Sequence, residues 1–231
     1  MTKITWLGHS TFHIEPDDGP AILVDPWFTG NPMYPEEYSC ERVDLLLITH
    51  GHPDHIGDVL AVAEQHSPEI VCNYEISLWL GSKGVEAMGM NKGGCYSTQG
   101  VRVSMTQAQH SSSIFENGKI IYAGEPAGFV VKQPDGRAFY FAGDTNVFSD
   151  MSLIRRIYGP ELAFLPIGDL YTMGPKEASV ACEFLNPGIV IPMHYGTFPL
   201  LTGTPAKLRK ALGPKSPVFV PNLAPGKTYD W

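Results

Sequence analysis

The sequence predicts an α/β fold of two sheets with helices outside them. Three observations carry this expectation. Short apolar stretches, alternating or continuous and ended by turn residues, recur from the first residues onward. Segments with helical spacing follow several of them. The strand-then-helix order also partly restarts at "AGFVVKQPDGRAFYFAGDT", Ala127 to Thr145, which divides the chain into two similar halves. No linker, charge run or low-complexity tract separates the halves, so one domain over residues 1–231 is expected.

Taken in order, "KITWLG", "TFHIE" and "AILVD" read as strands separated by turns such as "PDDGP". "FTGNPMYPEEYSCE", Phe28 to Glu41, is a Pro- and Gly-rich loop that either covers a site or forms a subunit contact in a homo-oligomer. "VDLLLIT" is a continuous apolar run of the kind found in strands buried on both faces. "IGDVLAVAEQH" has helical spacing, with Ile56, Val59, Leu60 and Ala63 on one side. "IVCNY", the helix-like "EISLWLGSKG" and the strand-like "VRVSMTQ" complete the first half. The second half opens with a hairpin turning at "PDGR". It continues through helix "SDMSLIRRIYG", strand "ELAFLPI", helix "PKEASVACEFLN", strand "GIVIPMH" and helix "PAKLRKALG".

Composition narrows the function. The chain is 43% hydrophobic and 17% charged, with 24 Gly and 20 Pro, a globular balance rich in turns. A formal net charge of -8 argues against a nucleic-acid partner. No apolar run reaches the roughly 18 residues of a membrane span, and "MTKITWLGHS" lacks the apolar core of a signal peptide. Cys40, Cys72, Cys95 and Cys182 are widely spaced without a CxxC pair, so free, mostly buried thiols and a cytoplasmic location are expected.

The chemistry gathers in "ITHGHPDHIGD". Residues two apart in an extended segment project to the same side, so His50 and His52 converge on one cation beyond the strand. Pro53 then bends the chain, and Asp54 and His55 start the next helix facing a second position. A 2+2 split suits two neighbouring ions, and imidazole with carboxylate favours zinc, with manganese or iron as alternatives. Further ligands are found where other apolar strands end: His110 after "VRVSMTQAQ", Asp144 at the end of "FYFAGD" and His194 at the end of "IVIPM". His13 and His66, isolated in their segments, read as hydrogen-bonded surface residues.

"THGHPDH" resembles the H-x-H-x-D-H motif of the metallo-β-lactamase superfamily, and the later His, the "GDT" aspartate and the "MH" histidine follow in that superfamily's order. "WLGHSTF", "LVDPWFTGNP", "AGDTNVFSDM", "LPIGDLYTMGP" and "IPMHYGTFP" resemble a narrower branch of small metal-dependent hydrolases similar to ascorbate-6-phosphate lactonase. The resemblance implies a four-layer αββα sandwich with two metals at one edge. It implies that His50, His52 and His110 hold one, that Asp54, His55 and His194 hold the other, and that Asp144 bridges them.

On this reading two divalent ions about 3.5–4 Å apart bridge a hydroxide that attacks a small-molecule ester, lactone or phosphoester. Asp54 is expected to carry a proton to the leaving group. His9 in "WLGHS" either contacts substrate, orients a ligand or is a turn histidine; Tyr195 either supplies a phenol to an oxyanion or packs. Ser111 and Thr172 are loop hydroxyls placed as substrate contacts. A phosphodiesterase is the alternative within the class, and a non-catalytic binding protein whose metals hold the fold is the alternative outside it.

Overall fold

The computed structural model describes residues 1–231. Strands β1 (Thr2–Trp6), β2 (Phe12–Pro16) and β3 (Ile22–Val24) form an antiparallel meander. Strands β4 (Leu45–Leu47), β5 (Glu69–Asn73) and β6 (Met88–Met90) then add in parallel. Parallel pairing needs crossovers. Helices α1 (Pro53–Ile56) and α2 (Val59–His66) make the one into β5, and α3 (Tyr74–Ser82) makes the one into β6.

The second sheet begins with the hairpin β7 (Cys95–Thr98) and β8 (Val101–Gln107). A separate hairpin of β9 (Ser113–Glu116) and β10 (Lys119–Tyr122) interrupts it. Strands β11 (Ala127–Lys132) and β12 (Ala138–Phe141) follow, antiparallel around the "PDGR" turn. After α4 (Met151–Tyr158), β13 (Leu162–Pro166) pairs in parallel with β12; after α5 (Pro175–Leu185), β14 (Ile189–Met193) pairs in parallel with β13. Helix α6 (Pro205–Leu212) leads to β15 (Thr228–Asp230), which returns to pair with β1. The sheets are ordered β15-β1-β2-β3-β4-β5-β6 and β14-β13-β12-β11-β8-β7.

The two-residue period sorts side chains between two cores. Ile22, Val24, Leu45, Leu47 and Val71 face the second sheet and join a buried cluster of 41 residues. Leu23, Leu46, Ile48, Ile70 and Cys72, one step out of phase, face α2 and α3 in a cluster of 15. Strand β4 is therefore buried on both faces, as its unbroken apolar run requires. The arrangement is the αββα sandwich. Cys40, Cys72 and Cys182 are buried free thiols, and Cys95 is free and exposed. No helix is long and apolar enough to cross a membrane.

Two local expectations need correcting. Leu60 is 38% exposed, while Val59 and Val62 form the buried face of α2. A single helical phase running on from Ile56 does not hold, because Gly57 and Asp58 separate α1 from α2 and reset it. His13 is not a surface residue. It is buried, with Nδ1 2.8 Å from Tyr38 Oη and Nε2 2.8 Å from the Arg42 carbonyl.

Strands β1, β3 and β4 run in one direction, and so do β8, β12 and β14. Their C-terminal ends meet at one edge of the sandwich, the side where open α/β sheets bind ligands. Two backbone bonds clip the sheets together there: Ala127 N donates to Thr49 O (3.0 Å) and His194 N to His9 O (3.0 Å).

Candidate metal centre

The strand ends deliver the ligand-type side chains to one place. His50 follows β4, His110 follows β8, Asp144 follows β12 and His194 follows β14. His52, Asp54 and His55 come from the turn into α1. Donor atoms of His50, His52 and His110 lie within 4.8 Å of one another, and so do those of His9, Asp54, His55 and His194. Asp144 sits between the groups. Its Oδ2 is 2.9 Å from His194 Nε2, 3.4 Å from His55 Nε2, 3.6 Å from His110 Nε2 and 4.0 Å from His50 Nε2.

These residues fit a divalent cation on their own chemistry. His55 Nε2, His194 Nδ1 and Asp144 Oδ1 are buried without any hydrogen-bond partner, a cost that a folded chain accepts where something else satisfies them. Burial, reinforced by the His55 charge, holds His50 well below the usual imidazole pKa; burial also lowers His52 and His110. That group is thus neutral imidazole, the form a metal binds, with His50 Nε2 and His52 Nδ1 3.0 Å apart. His55 behaves oppositely: burial would lower it, but the Asp144, Asp25 and Asp54 carboxylates overcome this and raise it well above the usual value. Asp144 is held well below the usual carboxylate range because the His194 and His55 charges outweigh its burial. A cation belongs where these carboxylates converge.

An outer ring of contacts holds these side chains. Asp25, fully buried at the end of β3, accepts from Thr49 N (2.8 Å), Thr49 Oγ1 (2.7 Å) and His55 Nδ1 (2.7 Å). It fixes His55 with Nε2 turned to the centre, as carboxylates do behind metal-binding histidines. The sequence reading missed Asp25. A carboxylate closing a wholly apolar strand just before Pro26 was the available signal. Ser112 Oγ accepts from Gly51 N (3.1 Å) and donates to Ala123 O (2.9 Å), joining the His50–His52 turn to the loop after His110. Thr145 Oγ1 accepts from Gln109 N (2.9 Å), joining that loop to Asp144.

His9 is fully buried beside the centre. Its Nε2 lies 3.0 Å from Asp54 Oδ2, its Nδ1 lies 2.7 Å from Thr197 Oγ1, and its ring centroid is 3.9 Å from that of His194. Burial and the neighbouring His194 bring its pKa down to about 4, so the ring is neutral, donates from Nε2 to Asp54 and accepts from Thr197. Asp54 keeps 28% side-chain exposure at the mouth. Burial would raise its pKa, but the His55 charge and the His9 bond hold it well below the usual range.

The remaining candidates separate. Ser111 Oγ lies 3.3 Å from His52 Nε2 at the mouth. Thr172 Oγ1 donates to Met173 O (3.3 Å), and no polar contact joins it to the centre. Tyr195 stacks on Trp6 with centroids 5.0 Å apart, and its phenol has no polar contact with the centre. His194 occupies the left-handed region (φ 55°), and the half-buried side chain that follows packs against the core. The Pro-rich loop also lies against this side. Met33 packs over Gly8, where a Cβ would meet Met33 Cβ at 2.8 Å, and Met33 Sδ is 3.4 Å from Thr197 Oγ1.

Comparison with known proteins places this geometry in a family. Residues 21–195 match the model of the β-lactamase superfamily domain. A "UPF0173 metal-dependent hydrolase" of Solibacter usitatus is 53% identical over 99% of this chain and 100% of its own length. One from the archaeon Archaeoglobus fulgidus is 45% identical over 99% of both chains. The solved structure of Igni18, described as a novel metallo hydrolase from Ignicoccus hospitalis, superposes with a TM-score of 0.87 at 35% identity. It covers 99% of this chain and 98% of that one. The chain is a member of the UPF0173 metal-dependent hydrolase family within the metallo-β-lactamase superfamily.

Proposed function

We propose that this centre holds two divalent ions, zinc in the first instance and manganese or iron as alternatives, and hydrolyses a small uncharged ester or lactone. The observation that carries the reading is the place of Asp144. One carboxylate oxygen lies within 4.0 Å of imidazole nitrogens from both ligand groups, as a residue shared by two ions requires. His50, His52 and His110 would hold one ion; Asp54, His55 and His194 would hold the other.

Bound ions supply Lewis-acid chemistry, lowering the pKa of water toward neutrality and stabilising negative charge on the scissile group. The chain's own part is positional. Asp25 presents His55, and Thr49 Oγ1, 3.0 Å from His50 Nδ1, presents His50. The buried His9 keeps one oxygen of Asp54 occupied. That leaves the solvent-facing carboxylate of Asp54 to take a proton from water and return it to the leaving group. No lysine or arginine forms an ion pair with these residues, and the leading charges on His52, Asp54 and His110 all come from the cluster itself. A substrate bearing a phosphate would find no cationic side chain in contact with the ligands.

The test is metal analysis by mass spectrometry together with hydrolysis assays on zinc- and manganese-loaded protein, offering lactones in one arm and an aryl phosphodiester in the other. Two ions per chain and lactone turnover that falls by roughly 10²–10⁴ in Asp54→Asn are expected. Near-normal turnover in the metal-loaded variant removes Asp54 from the mechanism, and phosphodiester turnover alone removes the lactonase reading.

A further inference from the structure

The two sides of the centre's mouth differ. Beside His52 and His110 the neighbours are polar: Ser111 lies 3.3 Å from His52, and Gln109 is exposed. Beside Asp54 they are aromatic. Trp27 meets His9 edge-on with ring centroids 5.2 Å apart, Phe198 meets the same imidazole at 5.9 Å, and the two rings are 6.1 Å from each other. His9 is fully buried, whereas Phe198 keeps 38% of its surface in water. The same imidazole holds Asp54 Oδ2 at 3.0 Å, so the aromatic pair and the carboxylate proposed to serve the leaving group share His9 as a neighbour.

Trp27 is held there by several independent contacts. Asp58 accepts from Phe28 N, Thr29 N and Thr29 Oγ1, and Asp58 N donates to Pro26 O, so the segment on either side of Trp27 is fixed to the start of α2. Gly57 leaves room for the ring. A Cβ at that position would come within 3.0 Å of Trp27 Cδ1 and 2.8 Å of Pro53 O. On the other side of the pair, the loop carrying Phe198 and the exposed Leu200 is tied to the loop carrying the exposed Leu170 and Tyr171 by Gly203 N donating to Gly168 O (3.2 Å). An aromatic side chain left partly in water beside a polar centre marks a surface that a ligand covers.

We propose that Trp27 and Phe198 form a subsite for a flat, uncharged apolar group of the substrate next to Asp54. Resting on the hydrolase reading above, this narrows the substrate class to esters or lactones that carry an aromatic or similarly flat apolar substituent.

The test compares γ-phenyl-γ-butyrolactone with unsubstituted γ-butyrolactone on the zinc-loaded full chain, in wild type, Phe198→Ala and Trp27→Leu. Binding of the non-hydrolysable lactam 5-phenyl-2-pyrrolidinone is measured by calorimetry on the same proteins. Packing against the two rings gives the phenyl lactone an expected advantage in kcat/KM of roughly tenfold, which either substitution should reduce through KM. An unchanged phenyl-to-unsubstituted ratio in both variants overturns the subsite. If wild type turns over neither lactone, the lactonase reading fails and the lactam decides separately. Weaker lactam binding in the variants supports the aromatic subsite, and equal or absent binding overturns it.

Discussion

Asp25→Asn isolates what a carboxylate behind a proposed metal ligand does, because it changes the hydrogen-bonding sense of one buried group and almost nothing of its shape. Asp25 Oδ1 accepts from the Thr49 amide, and Oδ2 accepts from Thr49 Oγ1 and His55 Nδ1. An asparagine must put its NH₂ at one of these positions. Facing the Thr49 amide it would set donor against donor with no way out. Facing Thr49 Oγ1 and His55 it can be accommodated, since the hydroxyl rotates and the imidazole moves its proton from Nδ1 to Nε2. That second arrangement aims an N–H at the centre where a lone pair is needed. Restoring the ligating tautomer leaves a buried donor without an acceptor, which costs about 1–3 kcal/mol. The corresponding loss of metal affinity is about 5- to 150-fold, in line with the roughly 10- to 100-fold found when groups supporting metal ligands are removed. Competition against a chromophoric zinc chelator measures it, with circular dichroism and thermal unfolding of the metal-free protein as the control for fold. A folded variant that binds zinc within about twofold of wild type would refute the argument that Asp25 sets the His55 tautomer.

Two further outcomes concern stability. Gly168→Ala should lower the melting temperature, because its methyl would enter the space of the His194 carbonyl and touch Leu201 Cδ2 at 3.3 Å; overpacking of this kind costs about 1–3 kcal/mol, and an unchanged thermal transition would show that the loop yields freely. His13 has a pKa lowered by burial, which outweighs Glu15, the Arg42 carbonyl and Asp44, while His66 adds to the lowering. Its contribution to stability is therefore full above about pH 6.5 and is lost as pH falls below that value, because the unfolded chain takes up the proton first. The melting temperature of wild type relative to His13→Gln should decline between pH 7.5 and 5, and a gap independent of pH would contradict the assigned burial effect.

Much of the centre was legible because it is written locally. His50, His52, Asp54 and His55 occupy one turn, and His110, Asp144 and His194 each end an apolar strand, so direction along the sheet was enough to bring them together. Asp25 was not legible in this way. Its partner His55 lies 30 positions along the chain, and an aspartate before a proline looks like an ordinary turn residue until the parallel pairing of β3 with β4 is known. The hairpin β9–β10 was missed although "ENGK" holds a strong turn signal, with Asn117 at φ 51° and Gly118 at φ 74°. Its exposed Phe115, Ile120 and Tyr122 gave no clean alternation to register. Strand β15 has no signal of its own, since three residues become a strand only because β1 offers an edge. Tyr195 shows the limit of adjacency: its place next to His194 did not foretell that its ring would stack on Trp6.

The same left-handed turns explain why the site sits where the sheets end. His9 (φ 54°), Asp25 (φ 48°) and His194 (φ 55°) all leave a strand through a conformation that costs a non-glycine residue on the order of 1 kcal/mol or more. Such a conformation persists only where the surroundings over-determine it. His9 O accepts from both His194 N and Trp6 Nε1, at 3.0 Å each, so one carbonyl fixes two of the three turns and clips the first sheet to the second. Asp25 is held by its bonds to Thr49 and His55, and Asp25 N donates to Leu47 O at 3.0 Å. A regular strand end would send these side chains onward along the strand axis into solvent; the turn folds them back across the seam between the sheets. The extended sandwich core supplies the rigidity, the three turns supply the direction, and the ligand geometry follows from both.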